Sequence, residues 1–388
     1  MNNSFIPTGD YLRQFLGHPM IKAKDLKRLL RNRGNFTSSN DKKILGPSII
    51  KTGLSPLEFD DLKDLIQTKE ETPKTHSRQY SWDSDECLLS VIEDNIDYES
   101  LIDDPFDTLK LINAPSFTLA GDGKDPDHVS IEFVLERNDK TKNFGDEVKT
   151  FTCSLEMKVE QGDLTLDMLM EHTSKESLNF INKFVKKTQS ILEEKKCINV
   201  TYSHLIQFNH FTNKERINFF LELCKSNTVY LYGQEITKVS IIPDYDHELD
   251  IPEEIKWFED KVKDLKLSGN KLDSSIFFKK PTLKEHLKIH SALCEYEIND
   301  NDHQGKCRVK YYFPEVEKNN LSELMIEVEY MSFDKKLQKE TKSKLRSDIL
   351  KFIEKKKMGI YFKHSSHAKD LIEKQANNKS NINSTETV

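Results

Sequence analysis

No run of this 388-residue sequence is apolar for long enough to span a bilayer as a helix. The opening residues, MNNSFIPTGDYLRQFLG, lack the basic-then-apolar order of a secretory leader. The six cysteines, at 87, 153, 197, 224, 294 and 307, include no CxxC and no Cys/His set at zinc spacing. A reduced, cytoplasmic protein without membrane contact is the expectation. Catalytic strings are missing as well: there is no phosphate loop, no GxSxG and no HExxH. Hydrophobic residues make up 36% and charged residues 32%, enough for real cores beneath a highly charged surface. The length predicts two or three domains.

What the sequence does have is charge sorted into blocks. The net charge is -7, yet residues 1–55 hold ten Lys/Arg against three Asp/Glu, or +7. Pro56 to Asp107 hold sixteen acidic against four basic residues, or -12, which leaves the remaining 281 residues near balance. The acidic block can shield the basic one, mimic a nucleic-acid backbone or face a basic partner. Within it, TKEETPKTHSRQYSWDSDE has the composition of a solvated linker, with Tyr80 and Trp82 suggesting that part of it docks.

Eight of the ten early cations lie between Lys22 and Lys43. Leu26, Leu29 and Leu30 recur at helical spacing, so one face packs on a core while Lys24, Lys27, Arg28 and Arg31 point to solvent. Gly34 follows Arg33 where a helix closes. The run Thr37–Asn40 reads as a turn ending in an N-cap for a second helix from about Asp41 to Ile50. Its first amides, with Lys42 and Lys43, offer a seat for a phosphate. A third helix follows in SPLEFDDLKDLI, with Ser55 as N-cap, Pro56 first and Glu58 completing a capping box. Residues 25–50 resemble a SAP-type helix–turn–helix, a module that binds duplex DNA mostly through its backbone. The competing reading is a solvated or protein-binding helical face. The DNA reading assigns phosphate contact to Arg28, Arg31, Arg33, Lys42 and Lys43, with Lys24, Lys27 and Lys51 at the margin.

The rest predicts an α+β body: a β-β-β-α lobe over 128–200, a helical connecting segment over 201–290 and a second β-β-β-α lobe over 291–374. The SAP-like helical module takes residues 1–75, an acidic linker or docking segment 76–127 and a disordered tail 375–388. The alternation in TFTCSLEMKV and ELMIEVEYM fits antiparallel strands with one wet face, and the two lobes match in pattern, not identity.

Candidates for chemistry are few. Asp127 followed by Glu156-x-Lys158 is the pattern of a metal-dependent nuclease, two carboxylates holding the metal while the lysine steadies the attacking water. Any acidic, lysine-rich strand yields such a triplet, and surface groups on a hairpin are the plainer reading. His204 and His210 flank a turn, and His286 and His290 share a face only if LKEHLKIH is helical. GDGKDPD has the acidity of a calcium loop without its remaining ligands, so a turn is expected at Gly121–Asp127.

The stretch from Asp10 to Lys74, with DDPFD, TKNFGD, HFTNKERINFFLEL and IPEEIKWFEDKVKDL further on, resembles the accessory second-gene subunit of the GAPS type-four two-gene bacterial anti-phage defence systems. The resemblance implies a hetero-oligomer with the product of a neighbouring gene, a subunit resembling PD-(D/E)xK nucleases in which magnesium would act. This chain would then be a non-catalytic, cofactor-free DNA-sensing and assembly subunit with double-stranded DNA as its second partner. Its rivals are a nuclease using Asp127, Glu156 and Lys158, and a protein-interaction scaffold without DNA contact.

Overall fold

The computed structural model describes residues 6–374 apart from short segments at 93–95, 143–146, 161–163, 201–202, 226, 246–251, 259–261, 301–302 and 336. The expected disordered tail at 375–388 lies outside the described residues. No described helix is long and apolar enough to cross a membrane.

Four helices open the chain: α1 (Gly9–Gly17), α2 (Ala23–Asn32), α3 (Lys42–Thr52) and α4 (Pro56–Glu70). Leu26, Leu29 and Leu30 meet Leu12, Phe15 and Leu16 of α1, Leu45 and Ile49 of α3, and Phe59, Leu62 and Ile66 of α4. Each such side chain contributes about 1.5–3 kcal/mol when fully buried. The local signals act as expected at both ends of this core. Gly34 is left-handed at φ 76°, and Ser55 with Glu58 forms a capping box behind Pro56. The cap of α3 is Asp41 rather than Asn40, its carboxylate accepting the Lys43 N–H at 2.9 Å.

An antiparallel sheet of eleven strands organises the rest. Its first part runs β1 (Lys74–Ser81), a short helix α5 (Leu88–Val91), β2 (Leu109–Leu111), β3 (Thr118–Leu119), β4 (His128–Asn138), β5 (Val148–Glu160), β6 (Thr165–His172) and α6 (Lys175–Glu194). Its second part runs α7 (Asn213–Cys224), β7 (Leu231–Pro243), β8 (Leu265–Ser268), α8 (Ile276–Lys279), α9 (Pro281–Lys284), β9 (Leu287–Asp300), β10 (His303–Tyr312), β11 (Met325–Phe333) and α10 (Lys339–His364). The spatial order is β2-β4-β5-β6-β1-β11-β10-β9-β7-β8, with β3 beside β4.

Strand β1 is the first departure from expectation. It falls where composition reads as linker, yet it joins the two halves of the sheet, pairing with β6 from Lys74 to Ser81 and with β11 at Lys74 and Thr75. Polar residues suit this place because both faces of β1 meet polar partners as well as core. Tyr80 enters the core beneath α6, where the Gln189 amide donates to its hydroxyl. Thr75 and Ser77 donate to the Glu354 carboxylate of α10 at 2.8 and 2.9 Å. By strand alternation, α6 and α10 therefore cover opposite faces of the sheet.

Two further expectations change. The connecting segment is only partly helical: it contributes the thirteen-residue strand β7, and IPEEIKWFEDKVKDL holds, among its described residues, a 3-10 turn at Lys256–Phe258 and the first residue of β8, Leu265. Buried Ile255 and Phe258 still face the core, so the apolar spacing marked burial without making an α-helix. Cys224 of α7 and Cys294 of β9 form a disulfide between two buried elements, so the six cysteines are not all free thiols.

Candidate nucleic-acid interface

The eight cations expected to contact phosphate separate into two groups once their partners are known. Arg33 is committed to the fold. Its guanidinium meets both Glu58 oxygens at 2.6 and 2.5 Å and also donates to Thr52 Oγ1 and the Gly53 carbonyl. This fork ties the end of α2 to the start of α4. It also holds the Glu58 carboxyl down at about 2, helped by hydrogen bonds from Ser55. Lys42 donates to the carbonyls of Gly17, His18 and Ile21 at 3.2, 3.0 and 2.8 Å, closing the C-terminal end of α1. Burial lowers its pKa. Lys27 reaches Ser38 O at 3.4 Å and Asn40 Oδ1 at 3.1 Å, clipping the turn onto α2.

Arg33, Lys42 and Lys27 thus already have partners within the helical module. The phosphate seat expected at the start of α3 changes with them. Lys42 turns away toward α1, and the Asp41 carboxylate already accepts one of those amides, the Lys43 N–H. Lys24, Arg28, Arg31, Lys43 and Lys51 are exposed and form no ion pair or hydrogen bond with a described residue. On α2, Lys24 and Arg31 lie three before and four after Lys27, on the stripe against which the turn is held. The arrangement offers five exposed cations along α2 and α3, with Arg31 and Lys43 at the helix ends that flank the ordered turn.

The nuclease triplet does not assemble. Asp127 is 7% exposed and its carboxylate accepts the Leu88 N–H at 2.9 Å, capping α5 on the core side of the sheet. Glu156 lies on the other face, bonded to His128 at 2.9 Å and Lys351 at 2.7 Å, while Lys158 pairs with Glu160 at 2.7 Å. A polar cavity of about 340 Å³ does open beside Glu156, between the sheet and α10, lined also by Glu132, Glu171, Ser347 and Lys351. Burial raises the Glu171 pKa there, whereas Glu156 is held low by Lys351 and His128 against its own desolvation. No group of three metal-ligating side chains forms among the described residues.

His204 and His210 both pack against other rings. His204 stands edge-on to Phe362 with ring centres 5.0 Å apart, and His210 stacks on His367 at 4.0 Å. The pair His286 and His290 needed a helix, but Leu287 begins β9, which pulls the two rings apart along an extended chain. Gly121–Asp127 is a turn, as expected; at Gly121, φ is 65° and an added Cβ would meet the His128 ring at 2.9 Å.

Two exposed aromatic rings escaped the reading of the sequence. Phe36 is 80% exposed in the basic turn, and Phe106 is 81% exposed in the acidic segment. The loop holding Phe106 is ordered by Asp104, whose carboxylate accepts from the N–H groups of Phe106, Thr108 and Leu109. A lone aromatic in an otherwise polar turn was the signal available for both.

Residues 10–72 match the family model of the GAPS4b protein N-terminal domain. No curated protein and no solved structure matches the chain.

Proposed function

From a chain that carries the N-terminal domain of GAPS4b proteins, components of an anti-phage defence system, we propose a DNA-contacting and assembly subunit of a defence nuclease complex. The observation that carries this reading is the group of five exposed cations without a partner among the described residues, Lys24, Arg28 and Arg31 on α2 and Lys43 and Lys51 on α3, the two helices joined by a turn that Lys27 bonds to. The Arg33 charge is already met by the Glu58 carboxylate, whereas these five have all their donors available for phosphate oxygens. Catalysis belongs, in this proposal, to the neighbouring gene's product, the subunit resembling PD-(D/E)xK nucleases, where magnesium would act. The separation of Asp127 from Glu156 and Lys158 supports placing it outside this chain. The acidic loop that carries exposed Phe106 between Asp103 and Asp107 in the sequence would, in this proposal, be a face for that partner.

The test is binding of the full-length protein to labelled duplex DNA across a salt series. Five phosphate contacts give a log–log slope of about -4.5. Replacing Arg28, Arg31 and Lys43 by Ala should weaken binding to every sequence and reduce that slope by about 2.7. Absence of duplex binding at low salt, or a triple variant that binds as the parent does, would sink the proposal. The first result would favour a scaffold whose basic face meets a protein.

A further inference from the structure

The turn between α2 and α3 is built to hold a shape. Gly34 takes the left-handed conformation, and the Asn35 N–H returns to Leu30 O at 2.8 Å. Thr37 Oγ1 accepts the Ser39 N–H at 3.2 Å, and Ser39 Oγ accepts the Asp41 N–H at 3.1 Å. Lys27 pins the far side through Ser38 and Asn40. On this ordered frame Phe36 stands 80% in solvent, outside the helical core, with Ile44 of α3 also 60% exposed. A ring that contributed to folding would be buried; this one is left with free faces.

Its surroundings indicate what those faces meet. Between Asp25 and Asp41 there is no acidic residue, and both of those carboxylates are engaged, Asp25 by Lys69 and Asp41 by the α3 amides. Arg28 and Arg31 precede the turn and Lys43 follows it. A flat apolar ring within a cationic setting matches a ligand that is both planar and anionic along its backbone. A nucleobase in a strand whose stacking is interrupted satisfies both requirements, whereas a perfect duplex conceals its base faces.

We propose that Phe36 is a base-stacking contact, so that this turn reads unpaired or unstacked nucleotides in DNA and not the closed duplex alone. This rests on the DNA-contacting reading above, because the cations bring the strand to the ring. The duplex would be held by Arg28, Arg31 and Lys43, and the discontinuity by Phe36.

The experiment compares full-length protein on a labelled 30-mer duplex and on the same duplex with a three-nucleotide gap carrying 2-aminopurine. The expected result is about tenfold tighter binding to the gapped DNA, with a change in 2-aminopurine emission on binding. Phe36→Ala should bring the gapped DNA to the duplex affinity and abolish the emission change, while Phe36→Trp keeps both. The exposure of Phe36 makes loss of folding an unlooked-for complication, and circular dichroism of each variant checks it. The R28A/R31A/K43A variant should lose both substrates. Equal affinity for the two DNAs, unchanged by Phe36→Ala but lost in the charge variant, would overturn the stacking contact and leave DNA binding standing. Binding of neither DNA by the parent protein would overturn both, and Phe36 would then be a protein-facing residue.

Discussion

Arg33 and Arg31 are two residues apart and carry the same group, yet they do different work because of what lies within reach. Arg33 finds the Glu58 fork at 2.5–2.6 Å; Arg31 finds no partner among the described residues. Replacing Arg33 by Ala leaves Glu58 without its fork and should destabilise the helical module by about 1–3 kcal/mol, read as a lowered thermal midpoint. Replacing Arg31 by Ala should leave that midpoint within about 0.5 kcal/mol of the parent. The same contact sets an acid response. The folded Glu58 carboxyl titrates at about 2, below the ordinary value near 4.3, so its stabilisation is complete above that ordinary value and is lost as pH falls toward 2. Glu58→Gln should flatten the pH dependence of unfolding in that window; an unchanged curve would mean that Arg33 does not hold Glu58 in solution.

Among the elements, β1 determines the architecture and was the least legible from sequence. The amphipathic helices α2, α4, α6 and α10 and both three-strand meanders could be read because each repeats its apolar residues at the period of its own geometry. KTHSRQYS does not, since a strand flanked by neighbours on both sides can satisfy Thr75, Ser77 and Arg78 with distant carboxylates, Glu354 and Glu323. Long-range pairing leaves no local period. The interface was half legible for a related reason: sequence shows which cations exist, but not which ones meet the Glu58 carboxylate or the α1 carbonyls. Strand β1 also carries His76, whose ring lies edge-on to His172 of β6 at 5.7 Å. Burial, with Lys74, Arg78 and Lys357 nearby, pushes His76 down to about 3 and His172 to about 2. Both stay neutral in the fold while the unfolded chain protonates them below about 6.5, so their stability is complete above that pH and is lost as pH falls. Unfolding at pH 5 should take up about two protons here. The parent should therefore lose more stability between pH 7 and 5 than H76Q/H172Q, as measured by urea denaturation.

At the scale of the whole molecule, the seam fixes where the chain can be divided. Lys74 and Thr75 supply the register pairs between β1 and β11, so a piece beginning at residue 76 loses that join, whereas one beginning at residue 73 keeps it. The longer piece should unfold in a cooperative transition and the shorter one should not, by calorimetry. The buried pair of Lys357 and Glu354 backs the seam, and Lys357→Ala, which leaves Glu354 uncompensated, should cost about 3–5 kcal/mol. Only Glu71, Thr72 and Pro73 separate α4 from β1, and Lys149 of β5 grips Glu70 at 2.6 Å. That short tether has a mechanical meaning. Tension on the helical module enters the sheet lengthwise through its joining strand, loading eight register pairs toward β6 in shear but only two toward β11. On the β11 side the resistance falls instead to side chains, the Glu354 carboxylate holding Thr75 and Ser77 and Glu323 holding Arg78, so those carboxylates, more than the backbone ladder, would keep the two halves together under a tug at the amino-terminal end.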